Sequence, residues 1–230
     1  STVATRVIGQ ADPASAQTLP TSALSVSTSG GSLAFDAEGH LLVSDYEKNR
    51  ILRFRKPFTP TQPANMPAAD LVIGQGTFTG AGAGTTAATL SGPVMIAFDP
   101  AGNLLATDSG NYRIVRYSAP LATGMAASGV LGQPNLISGA SGSGDTGFIF
   151  GPTGIAIDHL GNVVATDSRR VLAFDRPFAF ALDPAGDFDR DGIPNAVELE
   201  QARDPYTKDN DVFTNARLFA MQQYRDFLSR

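Results

Sequence analysis

Apolar residues in this chain come in short runs cut by Gly, Asn and Asp, and the runs recur. SLAFDAEGHLLVSDYEKNRILRF (32–54), MIAFDPAGNLLATDSGNYRIVRY (95–117) and GIAIDHLGNVVATDSRRVLAF (154–174) align with their aspartates in step, at a period of roughly 60 residues. Within each copy the runs are four to six residues long, the length of brief strands and too short for helices. AEGH, PAGN and HLGN read as hairpin turns, because Gly39, Gly102 and Gly161 supply the positive φ that such turns need. The second copy predicts strands over VMIAFD, NLLATD, RIVRYS and SGVLGQ. Four antiparallel strands per copy, repeated about an axis, make a propeller blade; the expected class is all-β. The third copy shortens its second turn to TDSRRVL, so that hairpin is expected to differ.

Composition narrows the function. The 230 residues are 42% hydrophobic and 17% charged, enough to bury a core. Net charge is -5, with no Lys/Arg block, so nucleic acid is not an expected partner. Cysteine is absent, which removes disulfides, thiolate metal sites and cysteine nucleophiles together. No apolar run reaches the roughly 20 residues that span a bilayer. The two histidines, His40 and His159, each lie in a first hairpin turn, and neither has a second imidazole in its motif. No catalytic residue is expected.

GPVMIAFDPAGNLLATDSGNYRIVRY (92–117) resembles the NHL repeat: a Gly-Pro entry, a strand ending in Asp, a Gly-Asn turn, a second strand ending in Asp, then Asn-x-Arg and a strand. The resemblance covers residues 5 to 178. Its longer form, with VIGQ (72–75) and VLGQ (130–133) as outer strands, is similar to bacterial secreted NHL proteins, which implies a secreted or cell-surface location. Some propellers of related build are lyases or lactonases, so a propeller enzyme of that kind, or a glycan-binding module, is the alternative to a protein-interaction role.

Strand alternation sorts the turns by face. One face gathers Asp45, Tyr46, Asn49, Arg50, Asp108, Asn111, Tyr112, Arg113, Asp167, Arg169 and Arg170, beside long loops at 11–31, 76–92 and 134–151. The loops suit contact with a glycan or a protein and equally plain solvation, whereas the Asp and Arg of each blade are expected to bond the turn backbone and the next blade before any ligand.

After residue 180 the composition changes. Asp187, Asp189 and Asp191, then Gly192 and Glu198, read D-x-D-x-D-G-x5-E, the spacing of a calcium loop. Ile193 offers a carbonyl and Glu198 closes the site. The continuation is similar to thrombospondin type 3 repeats, which implies further Ca2+ ligands at Asn195, Asp209 and Asp211. Residues 181–211 are therefore expected to be a calcium-stiffened linker between blades (1–180) and an amphipathic helix (212–230).

Three blades do not close a ring, since propellers use about four to eight. TRVIGQ, with Arg6, Val7, Ile8, Gly9 and Gln10, is an outer-type strand without the rest of a blade, whereas the third copy reaches PF without its own VIGQ. Strand exchange between copies, as a ring or a head-to-tail fibre, follows as an expectation. FAFALD (178–183) filling the vacancy, or a longer propeller, are the other two.

Overall fold

The second copy shows how the pattern becomes structure. LLATD has two apolar faces bounded by turn residues, and it forms the middle of a sheet, buried at all five positions. In the computed structural model, residues 4–27, 29–63, 65–142, 144–178, 187, 191–201 and 205 are described. They contain three antiparallel sheets. The first is β1 (Leu33–Phe35), β2 (Leu41–Asp45), β3 (Arg50–Phe54) and β4 (Leu71–Ile73), in that order. The second repeats it with β5 (Pro93–Phe98), β6 (Leu104–Asp108), β7 (Arg113–Tyr117) and β8 (Gly129–Leu131). The third has β9 (Gly154–Ile157), β10 (Val163–Asp167) and β11 (Arg170–Phe174), with no fourth strand among the described residues. The sheets are blades of a β-propeller that is not closed into a ring.

Register is the same in each blade. Leu52 faces Val72 as Val115 faces Val130, and Asp45, Asp108 and Asp167 each face the arginine that opens the next strand, Arg50, Arg113 and Arg170. The first turn is fixed by an aspartate: the Asp36, Asp99 and Asp158 carboxylates accept the N–H of residue i+4 at 2.7, 2.8 and 2.9 Å. Gly39, Gly102 and Gly161 carry φ of 84, 80 and 84° there. The second turn is one 3-10 turn in the first two blades, closed by left-handed Asn49 and Tyr112. In the third it shrinks to Ser168 and Arg169, with positive φ at Ser168.

Blades pack by alternation. Leu42, Ile51, Leu71 and Ile73 of the first meet Leu90, Ile96, Leu104 and Ala106 of the second. Leu105 and Ile114 on the opposite side of the second meet Phe148, Ile155, Val163 and Ala165 of the third. Each buried Leu, Ile, Val or Phe among them contributes about 1.5–3 kcal/mol. A third cluster covers the other side of the first blade, where Ile8, Ala23 and Val26 pack on Leu41, Val43, Leu52 and Phe54.

The chain divides into two compact units, Ser1–Phe178 and Ala179–Arg230. In the second, Asn195–Glu200 is a short helix, α1. The expected helix over 212–230 lies outside the described residues. Within one chain TRVIGQ makes an isolated parallel bridge from Val7 to Asn65. A strand needs a neighbour on its edge, and no other strand of a preceding blade is present among the described residues.

Candidate functional site

The turn residues singled out in the sequence come together, but they turn inward. Arg50 is fully buried and donates from Nε to the Asp45 carboxylate at 2.7 Å. Its remaining N–H groups reach the carbonyls of Ser22, Ser25 and Phe78. Arg113 repeats this with Asp108 at 2.7 Å and the carbonyls of Thr86, Thr89 and Leu136. Arg170 binds Asp167 and the carbonyls of Gly144 and Gly147. The other carboxylate oxygens accept backbone N–H groups from Ser27, Ser91 and Phe150. Each blade thus has an aspartate–arginine latch that ties down its preceding long loop and, in the first two blades, the following one as well, with every guanidinium nitrogen hydrogen-bonded inward.

Asn49 and Asn111 serve the same loops, donating to the Ala81 and Gly84 carbonyls. Tyr112 is half-buried, whereas Tyr46 and Arg169 stay exposed. Of the two adjacent arginines in the third copy, Arg170 takes the latch. Burial pushes the Asp45 and Asp108 carboxyls up from their ordinary value, with the arginine bonds opposing it. At Asp167 burial also acts upward, but the Ile149 and Phe150 N–H groups and Arg170 outweigh it and leave the carboxyl low.

On the opposite face, the first turns of blades one and two border a cleft of about 680 Å3 lined by Asp36, Glu38, His40, Arg53 and Asp99. Ligand atoms of Asp36, Glu38 and His40 lie within 4.8 Å of one another, a geometry that could hold a metal ion. His40 Nδ1 sits 2.8 Å from Asp36. The repeat explains that contact: Asn103 and Asn162 occupy the same position and donate to Asp99 and Asp158, each at 2.8 Å. His40 is a turn-closing residue in a place where the other blades use Asn.

In the second unit, the Asp187 carboxylate accepts the N–H of Asp191 at 3.1 Å and of Gly192 at 2.8 Å. Gly192 has φ of 95°, and Asn195, Ile193 and Glu198 are buried. A first aspartate that closes over the fifth and sixth residues of its loop, a positive-φ glycine at the sixth and a buried glutamate at the twelfth suit the hard-oxygen demands of Ca2+. Asp189, Asp209 and Asp211 lie outside the described residues.

The largest departure from a closed fold is at the two ends of the blade stack. Leu42 and Leu105, and likewise Ile51 and Ile114, are 0% exposed because another blade covers them. Their counterparts in the third blade, Val164 and Val171, are 37% and 65% exposed. On the first blade Leu33, Phe35 and Phe58 are exposed, where the equivalent Ile96 and Ile155 are buried. Phe35 and Phe58 pair at 6.2 Å between ring centroids.

The chain matches no protein-family model and no curated protein. Among solved structures it is similar to a streptogramin B lyase (13% identity, TM-score 0.36, covering 63% of this chain and 40% of that one). It is similar also to a catalytically inactive virginiamycin B lyase from Staphylococcus aureus crystallised with quinupristin (16%, TM-score 0.33, 63% and 40%). A third is a Bacteroides uniformis protein assigned as a 6-phosphogluconolactonase (16%, TM-score 0.36, 67% and 44%). The chain spans less than half the length of each. Their fold agrees with the blades described above, and likeness at this level carries no argument about chemistry.

The bonding of each Asp and Arg within its own turn was legible, since an Asp ending one strand and an Arg opening the next face each other across the hairpin; their capture of long-loop carbonyls was not. The exposed side of β10 and β11 was not singled out, because Val164 and Val171 look like their buried counterparts.

Proposed function

We propose that this chain works by protein–protein interaction through the open faces of its blade stack, outside the cell, with Ca2+ stiffening the segment after the blades. The observation that carries the reading is the exposure of Val164 and Val171 on a face whose two counterparts are wholly buried. Apolar surface of that kind marks a docking site in a water-soluble protein. The latches support it from the other direction, since Arg50, Arg113 and Arg170 of the loop-bearing face, with their aspartates, are consumed in holding loops. The NHL resemblance and the secreted location belong to the same reading. Among the described residues no helix is long and apolar enough to cross a membrane.

Light scattering over a range of concentrations tests it. Wild type is expected to exceed the 24.0 kDa chain mass, and Val164→Lys with Val171→Lys to return to it. A wild type that stays at the chain mass throughout overturns the reading. For the metal, calorimetry with Ca2+ on wild type and on Asp187→Ala with Glu198→Gln is expected to show heat only in the former, and equal heats remove it.

A further inference from the structure

The N-terminal VIGQ (7–10) occupies the place of an outer strand, although no sheet claims it. Three correspondences establish this. Gly9, Gly74 and Gly132 share φ of 85, 84 and 84°, and a Cβ on each would strike the residue that begins the next blade's core: Val26, Leu90 and Phe148. The Val7 carbonyl accepts the Met66 N–H at 3.0 Å as the Val72 carbonyl accepts that of Gly124 at 2.9 Å. Gln10 Nε2 donates to the carbonyl seven residues on, at Gln17, as Gln75 does to Gly82 and Gln133 to Ala140. Gln75 and Gln133 each donate also to a turn of their own blade, at the carbonyls of Asn49 and Tyr112. Gln10 has no such bond, for want of a blade of its own among the described residues. Arg6 pins the segment in place through the carbonyls of Thr59, Gln62 and Pro63.

The third sheet offers the converse. Strand β11 pairs with β10 on one edge, and no described strand pairs with its other edge. Its exposed side carries Ala156, Val164 and Val171, and the exposed side of the first blade carries Leu33, Phe35 and Phe58. These are the two separated halves of the interface that the molecule already builds twice, between blades one and two and between two and three.

We infer that residues 6–8 of one copy add as the fourth strand to β11 of a second copy. This deepens the interaction reading above and rests on it. The internal registers, Ile51 to Ile73 with Leu52 to Val72, and Ile114 to Leu131 with Val115 to Val130, set the new one. Val171 faces Ile8, Leu172 faces Val7 and Ala173 faces Arg6. Strand addition satisfies the edge of β11 that no described strand pairs with, and buries the apolar faces on either side of it.

The absence of cysteine makes the test clean. Chains carrying Ile8→Cys and chains carrying Val171→Cys are mixed and oxidised. A covalent species at twice the 24.0 kDa chain mass, seen only in the mixture, is expected. Directly opposed residues lie about 4.5–5.5 Å apart, within disulfide reach, whereas diagonal ones lie about 7–8 Å apart and beyond it. Ile8→Cys mixed with Ala173→Cys is therefore expected to give at least fivefold less. Equal yields from both mixtures overturn the register. A disulfide within one chain of the double variant Ile8→Cys, Val171→Cys, at the single-chain mass, overturns the exchange between copies. Association by light scattering with no cross-link in either mixture overturns strand addition while leaving the interaction reading intact; Ile8→Asp that associates as wild type does so too.

Discussion

Strands β6 and β10 read LLATD and VVATD, hold the same place in their sheets and end in the same latched aspartate, yet live in different surroundings. All five residues of β6 are buried, and those of β10 are buried and exposed by turns. A central strand in a stack needs two apolar faces, one for each neighbour, so its sequence announces a partner whether or not one is present. The difference lies in what covers the strand and not in the strand itself. Blade two is therefore a completed reference for what blade three lacks.

Removing the latch should separate the two blades most. Arg113→Ala strands a buried carboxylate and three carbonyls, and a loss of about 3–5 kcal/mol is expected. Arg170→Ala, with its side chain 28% exposed and reached by water, should lose about 1 kcal/mol. Urea midpoints of the two variants decide it, and equal losses would mean that burial does not set the value of the latch. Core truncation comes next. Leu105→Ala should cost about 2–5 kcal/mol, whereas Val164→Ala should fall within about 0.5 kcal/mol in dilute solution. If a partner covers β10, the second cost rises with protein concentration, so the same denaturation repeated at high concentration sharpens the contrast. A smaller effect separates two glycines of nearly equal φ. Gly132→Ala meets both strain and the Phe148 ring, for about 1–3 kcal/mol, while Gly144→Ala, with open space around it, meets strain alone, for about 1 kcal/mol. Thermal unfolding of both checks the order.

The smallest contrast is one of sign with pH. The Asp167 carboxyl is lowered from 3.8, so its contribution is present above that value and fades as pH falls through the lowered one. The Asp108 carboxyl is raised from 3.8, so its contribution is present below that value and is lost as pH rises through the raised one. Between about pH 3 and about pH 6, the stability gap from wild type should widen for Asp167→Asn and narrow for Asp108→Asn. Gaps that move together would show that the two latches titrate alike.

Much of this fold was legible because its signals are local. Turn glycines, i+4 aspartates and four-residue apolar runs specify strands and hairpins within a dozen residues, and the internal repeat supplied the assembly of strands into blades. The short third turn was legible for the same reason, from two missing residues. Burial of Arg50 and Arg113 was not, because it depends on carbonyls contributed by loops up to 28 residues away, and the pattern of a loop does not reveal where its carbonyls point. His40 illustrates a different limit. The repeat places it in a hairpin turn, but its bond to Asp36 in the manner of Asn103 and Asn162 emerges only from the structure.

The latches have a consequence for how such a chain can change. Arg50, Arg113 and Arg170 hold their loops almost wholly through backbone oxygens, which every residue type supplies. Mutational drift at the exposed positions of those loops therefore passes unnoticed by the clamps, and a library randomised at residues 79 and 83, or at 137, 140 and 141, would be presented on an unaltered chassis. The blade stack is in this sense a display scaffold whose variable text is written between fixed punctuation.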